Sequence, residues 1–400
     1  MGNIVGIALT TAAFFLLVVA VLLNSTALFY MSTAMAGAIV ATRIQSWLAV
    51  KGLRFDRRVP EVTRVGELVT VEVLAWSERP VKRPLTLISD HLPRKLAVED
   101  RTPALPIAPT FGEPVAARYS FRPMRRGRFR WSGVHVVGTD PFGIVATTRE
   151  YETPPAELTV LPRPIPIQVD LPSSAGFGFE ESEHGLSRGP GLEPRGVREY
   201  AEGDSMRYVH WRSSARAGKL LVKEFETGSQ SAVSLIIQTT KGSDVGRGAH
   251  TTLERMCGHA AYLMGSMVRQ GIDVRLIGVD SGPPALDPSQ REWQILMGLS
   301  QLEADDPAPM SVQIRRMWHE LIPGSAVYLL LAVPDEGLPD VIRDLQRNGH
   351  TVLCIVLDAA SFQPDAKSPV PNAADPDFLG ALRDAGAKVF VTGAAGGVQT

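Results

Sequence analysis

Four hundred residues exceed one ordinary hydrophobic core and predict two or three domains. Forty-one basic residues against 42 acidic ones give no global field for nucleic acid, which is not expected as a partner. Two cysteines, Cys257 and Cys354, are too few for a disulfide framework or a four-ligand zinc site, and both sit in apolar stretches as core residues do.

The chain begins with IVGIALTTAAFFLLVVAVLL, Ile4 to Leu23, which carries no charge. Twenty residues at about 1.5 Å each match a hydrocarbon thickness of about 30 Å. Asn24-Ser25-Thr26 interrupts, and a second apolar run reaches Ala41 before Arg43. The break is short enough to predict a tight hairpin that crosses a bilayer twice between residues 4 and 42. A cleaved signal peptide is disfavoured, since no basic segment precedes the first run and a second run follows at once. Trp47 stands where an interfacial aromatic belongs. Arg43, Lys51, Arg54, Arg57 and Arg58 all follow the second run, so the positive-inside rule places the rest of the chain in the cytoplasm, on the inner face of a plasma membrane.

After this anchor (1–50) the apolar period changes to two. Val65 to Trp76 alternates, as do PLTLISD, ARYSFRP, GRFRWSGVHVVG and ELTVLP, with Pro, Gly and Asp clusters between them. The pattern predicts a small antiparallel β-sandwich or barrel over 51–162. Arg118 to Arg130 holds six arginines and no acid, which suits a solvated strand face or, as the alternative, anionic lipid. A Pro/Gly/Ser-rich linker follows at 163–196. Its GLSRG, at Gly185 to Gly189, mimics a nucleophile elbow but lacks the flanking strand and helix that such a turn requires.

From Ser231 continuous apolar runs alternate with helical periods. SAVSLIIQ, DVRLIGV, AVYLLLAV, TVLCIVL and KVFVT read as buried strands, separated by helices such as TTLERMCGHAAYLMGSMVRQ. This predicts a doubly wound α/β domain over 197–400, with ligands expected beyond the carboxyl ends of its strands. Asp280, Asp335 and Asp358 fall at such ends, and an Asp there caps a helix more often than it binds metal. No phosphate loop, HExxH or paired CxxC occurs.

The densest chemistry lies in REYAEGDSMRYVHWRSSARAGKLLVKEFE, Arg198 to Glu226. Asp204 or Ser205 can cap a helix that Gly218 ends, followed by a strand. Arg198, Tyr200, Gly203, Asp204, Arg207, His210, Trp211, Ala215, Arg216, Leu220, Val222 and Lys223 resemble the signature of a bacterial family known only as domain of unknown function 58. RRGRF at Arg125 to Phe129, DPFG at Asp140 to Gly143 and the anchor hairpin resemble that family as well.

The resemblance implies a MoxR-type AAA+ ATPase as partner, a transglutaminase-like membrane protein as a second partner, and a von Willebrand factor A-like C-terminal half. In that fold the first strand ends in Asp-x-Ser-x-Ser and holds a divalent cation. The matching positions here are Gln238, Thr240 and Gly242, a degenerate set that predicts no metal and disfavours metal-dependent adhesion.

Three uses of the signature stay open. Arg198, Arg207, Arg212 and Arg216 can pair internally with Glu199, Glu202, Asp204, Glu224 and Glu226 as a brace. Arg, Tyr and Trp can instead dock a partner, for which Arg198, Tyr200, Gly203, Asp204, Arg207, His210, Trp211, Arg212, Ala215, Arg216 and Lys223 are the candidates. Arg207, Arg212, Arg216 and Lys219 can grip an anion such as a phosphate or nucleotide. His210 has no nucleophile at useful spacing, so no catalysis and no cofactor are expected. The expected function is a membrane-anchored cytoplasmic scaffold in a cell-envelope-related process.

Overall fold

Two helices open the chain, α1 (Gly2–Leu22) and α2 (Thr26–Val50). They are seen in a computed structural model that describes residues 2–80, 86–90, 92–93, 96, 98, 105–140, 146–169, 194–199, 210–225, 232–279, 285, 287–364, 370–394 and 398–399. Asn24 turns the chain in the left-handed region (φ 48), and the Ser25 hydroxyl caps α2 by accepting from Leu28 N. The helices pack together: buried Ser32 donates its hydroxyl to Ala13 O across the pair at 2.9 Å. Helix α2 is long and apolar enough to cross a membrane. It continues past the end of the apolar run at Ala41, and its last turns are buried on one side at Ser46, Ala49 and Val50.

The chain divides into two compact units, Met1–Arg163 and Pro164–Thr400. In the first, eight strands follow α2: β1 (Leu53–Arg58), β2 (Val62–Arg64), β3 (Val69–Ser77), β4 (Thr86–Asp90), β5 (Leu105–Ile107), β6 (Val115–Phe121), β7 (Gly127–Thr139) and β8 (Ala146–Leu161). They form a three-stranded sheet, β1-β3-β6, and a five-stranded sheet, β2-β8-β7-β4-β5. Alternate residues of β3 (Val69, Val71, Val73) meet Ile88, Trp131, Val134, Val136 and Leu158 of the facing sheet in one core. The pairing is antiparallel except between β2 and β8, where the expectation of a wholly antiparallel domain gives way to a parallel edge.

Strand β1 was hidden in the sequence because LRFDRR reads as a basic membrane flank. Arg57 is not such a flank. It is 6% exposed and grips Asp90 through Nη2 at 2.6 Å and Nε at 3.1 Å, while Gly133 O accepts from Nη2 and Thr153 Oγ1 from Nη1. Tyr119 donates to the same carboxylate at 2.7 Å, and burial, with Asp90 beside it, pushes its hydroxyl far above the usual phenol range. Among the arginines from 118 to 130, Arg118 pairs with Glu72 and Arg128 with Glu157 on exposed strand faces, whereas Arg126 is buried.

In the second unit, residues 164–169, at the start of the expected linker, strap the α/β core. Ile165 N donates to Gly258 O, and Ile167 and Val169 are buried. The rest of the expected linker up to residue 193 lies outside the described residues. Then come β9 (Pro194–Glu199), α3 (Trp211–Ala217), β10 (Leu221–Phe225), β11 (Ala232–Ile237), β12 (Gly246–Arg247), β13 (His250–Thr251), α4 (Thr252–Arg269), β14 (Asp273–Leu276), α5 (Pro288–Gln301), α6 (Met310–Arg316), β15 (Ala326–Leu331), α7 (Leu338–Arg347), β16 (Thr351–Leu357), α8 (Pro376–Asp384), β17 (Lys388–Thr392) and β18 (Val398–Gln399).

Five parallel strands and the antiparallel edge β18 run in the order β14-β11-β15-β16-β17-β18. Strands β11, β15 and β16 are continuous buried runs, as both-face coverage demands. Met310, Ile314, Leu338, Val341, Ile342, Leu345 and Leu382 from α6, α7 and α8 pack on one face, and α4 contacts β11 and β14. Thr251 caps α4, and Gly271 (φ 76) follows its end at the predicted stop. Cys257 and Cys354 are buried and form no disulfide with each other, and burial pushes the Cys354 thiol up to about 12.

Candidate functional site

The signature folds as a ribbon and a short helix. β9 and β10 pair antiparallel, with Val222 opposite Arg198 and Lys223 opposite Val197. Tyr200, Gly203, Asp204 and Arg207 lie outside the described residues, as do Glu202 and Glu226. Helix α3 does not begin at Asp204 or Ser205. His210 is its N-cap: Nδ1 accepts from Ser213 N at 3.2 Å, which leaves that nitrogen without a proton. His210 thus holds a helix end.

Gly218 closes α3 in the left-handed region (φ 67) and its N–H bonds Ser214 O. Buried Ser214 ties helix to ribbon, its Oγ accepting from Leu221 N at 2.9 Å and facing His210 O at 3.1 Å. Sequence reasoning passed over Ser214, though a serine between exposed arginines on a seven-residue helix could have marked the buried side. Apart from half-buried Ser213, the rest of α3 is exposed. Trp211 is 62% exposed, and Arg212, Ala215 and Arg216 are exposed with it. Among the described residues, neither Arg212 nor Arg216 forms an ion pair. The result is an aromatic face (Trp211, Ala215) beside a cationic one (Arg212, Arg216), each at a spacing of four residues.

The second place of interest is the carboxyl edge of the sheet. In chain order the parallel strands run 2-1-3-4-5, so the switch point falls between β11 and β15. Gln238 closes that crevice. It is 1% exposed, its Oε1 accepts from Ala332 N (2.9 Å) and Val333 N (3.0 Å), and its Nε2 donates to Val333 O (3.0 Å). Thr240 Oγ1 donates to Ala308 O, and Gly242 takes φ 91, which a serine would adopt only with strain. This donor set does not suit a divalent cation, because the Gln238 oxygen is committed to two backbone amides and Thr240 is turned toward a carbonyl.

The acidic residues at strand ends also have local employment. Asp335 accepts from Ser311 N, Ser311 Oγ and Gly337 N, capping α6. Asp358 accepts from Ala360 N and Asn372 Nδ2. Asp280 lies outside the described residues. Beside β11 and β14 a cleft of about 100 Å³ is lined by Ile237, Thr239, Ile277, Asp306, Gln313 and Arg316. It is well below the roughly 300 Å³ at which sites for nucleotide-sized ligands begin.

Residues 196–322 match the family described as protein of unknown function DUF58. The resemblance carried by the signature is shown over that segment. The DUF58 segment runs from β9 to the turn before β15, so it takes in α3, the Gln238 loop and the cleft. It is narrower than the likeness read from RRGRF, DPFG and the anchor, all of which lie upstream of it. No curated protein matches the chain.

Among solved structures, the crystal structure of a CARDB domain from Pyrococcus furiosus, in complex with di-metal ions, is 14% identical. It aligns over 27% of this chain and 91% of its own with a TM-score of 0.20. The solution structure of the same domain gives 14% identity, 26% and 94% coverage and 0.18. A conjugative transposon lipoprotein from Bacteroides eggerthii gives 14%, 25% and 95%, and 0.15. Likenesses at those scores carry no argument about this chain.

Proposed function

We propose that the chain is a non-catalytic, membrane-anchored scaffold that docks a partner protein on the outward face of α3. In this reading α1 and α2 cross the inner membrane as a two-pass hairpin, and both units sit on the cytoplasmic side. The partner is an AAA+ ATPase of the MoxR type, with a transglutaminase-like membrane protein as a second associate in an envelope-related process. The observation that carries the proposal is Trp211, 62% exposed beside Arg212 and Arg216, which have no ion pair among the described residues. Trp and Arg are the residue types that most often dominate binding energy at interfaces, and a solvated tryptophan gains by being covered.

A von Willebrand factor A-like kinship of the α/β unit belongs to the same proposal. A parallel sheet with helices on both faces supports it, and the Gln238 loop restricts it to metal-independent binding. Crosslinking in native membranes, with identification of the captured protein, tests the reading. The unaltered chain should capture an ATPase, and Trp211→Ala combined with Arg212→Ala should lose it while remaining folded. Undiminished capture by the folded double variant sinks docking at α3.

The same two arginines favour one second reading, an anion bound at α3. It predicts that phosphate-bearing compounds raise the melting temperature of the chain, and that Arg212→Ala removes the rise.

A further inference from the structure

Three cations from three separate parts of the first unit converge where α2 ends. Lys51 caps α2, with its ammonium 3.8 Å from the centre of the Trp47 ring. Arg79, just beyond β3, lies against the next residue: a β-carbon on Gly52 would stand 3.3 Å from its Nε. Arg149 of β8 sits over the Tyr151 ring at 5.1 Å, and the Tyr151 hydroxyl donates to Val50 O. Arg79 and Arg149 are exposed and Lys51 is half-buried. None of the three forms an ion pair among the described residues; of the acids beside Arg79 and Arg149, Glu78 pairs with Arg54 and Glu150 lies against His135 Nε2.

The collar sits at a definite height on the helix. A span of about 20 residues from Thr26, about 30 Å, ends near Gln45. Trp47, 47% exposed, then falls at the interface, and the end of α2 lies about 8 Å beyond the hydrocarbon edge, at headgroup level. Val50 is part of the sandwich core, and Ser46 Oγ bonds Gly138 O at 3.0 Å, so the end of α2 is fastened to the sandwich that carries Arg79 and Arg149.

We infer that Lys51, Arg79 and Arg149 form a binding collar for the headgroup phosphate of an anionic phospholipid. This rests on the membrane-anchored reading given above. Charge complementarity selects the occupant: three cations beside the end of a membrane helix, at headgroup depth, face the one layer of a bilayer that is densely anionic. Trp47 supplies the amphipathic ring that settles at that depth.

Native mass spectrometry of the full chain, taken from bilayers of equal phosphatidylglycerol and phosphatidylcholine, reads which lipid stays bound. Phosphatidylglycerol should be retained in preference. Each of Lys51→Gln, Arg79→Gln and Arg149→Gln should lower that preference by about five-fold, whereas Arg128→Gln, at the opposite end of β7, should leave it unchanged. Equal retention of both lipids, or a preference that survives in the triple variant, overturns the collar. So does soluble glycerol phosphate that competes as well as the lipid. A chain that fails to partition into membranes at all overturns the anchored reading as well, while an inserted chain without lipid preference overturns the collar alone.

Discussion

Gly138 of β7 and Val50 of α2 are so close that a β-carbon on the glycine would lie 2.6 Å from Val50 Cγ1 and 2.8 Å from Ala49 Cβ. The last turn of the apolar helix therefore rests on bare backbone, and Ser46 completes the joint through Gly138 O and Thr147 Oγ1. Ala49 is fixed to a helix and cannot rotate aside, so Gly138→Ala must lift α2 off the strand. Overpacking of this kind costs about 1–3 kcal/mol. The expected result is a lower melting temperature of the full chain in detergent and faster proteolysis between residues 48 and 53. A variant that melts with the unaltered chain would show that the joint yields freely.

Arg57 and Asp90 should be far more sensitive than any surface pair. Their side chains are 0% and 1% exposed, and the carboxylate also accepts from Tyr119. Removing one partner leaves a buried charge without its counterpart, at a cost of about 3–5 kcal/mol. Asp90→Asn is expected to lose most of that and Arg54→Gln, whose pair with Glu78 is exposed, less than about 1 kcal/mol. Urea denaturation of each variant measures the contrast. Equal losses would mean that the buried pair does not brace the sandwich.

Much of the fold was legible because its signals are periodic. The period-two runs became β3, β4, β6, β7 and β8, and the continuous apolar runs became β11, β15 and β16. What escaped was contact between residues distant in sequence. Arg57 looks like a membrane flank until Asp90, 33 positions later, is seen to neutralise it. Arg79 and Arg149 have no pattern that points to Lys51: the β1–β3 register brings the first to it, and the packing of Tyr151 against the end of α2 brings the second. In the signature the arginines and tryptophan were visible, but the buried serine that orients them, Ser214, was not. The start of α3 was missed because a histidine supplies the cap in place of the nearby aspartate and serine.

Gln238 tests why the strand end carries an amide where an acid would bind a cation. Its nitrogen donates to Val333 O and its oxygen accepts two backbone amides, a division of roles that only a carboxamide fills. Gln238→Glu keeps the shape but sets a buried carboxylate oxygen against that carbonyl. The loss should be at least about 2 kcal/mol at neutral pH and should shrink on acidification, since a protonated acid regains a donor. Titrating the melting temperature of the variant against pH reads this. If added magnesium or manganese restored full stability, the crevice would have to be reassigned as a cation site.

His259 gives the α/β unit a dependence on pH opposite to that of a salt-bridged histidine. The ring is 1% exposed, its Nδ1–H donates to Ile165 O at 3.1 Å, and its Nε2 is buried without a partner. Desolvation lowers its pKa to about 4, against the carbonyl contact and with help from the Arg255 charge. The unfolded ring titrates near its ordinary value of about 6.5, so below that pH the unfolded chain binds a proton that the folded chain refuses. Stability from this group is complete above pH ~6.5, falls as pH drops toward ~4, and then levels, a total of about 3 kcal/mol. His259→Gln keeps a donor for Ile165 O but cannot titrate. Its stability between pH 4 and 7 should therefore run flatter than that of the unaltered chain, as followed by chemical denaturation at fixed pH. Parallel curves for the two proteins would place the acid sensitivity elsewhere and leave the strap at residues 164–169 indifferent to the charge on this ring.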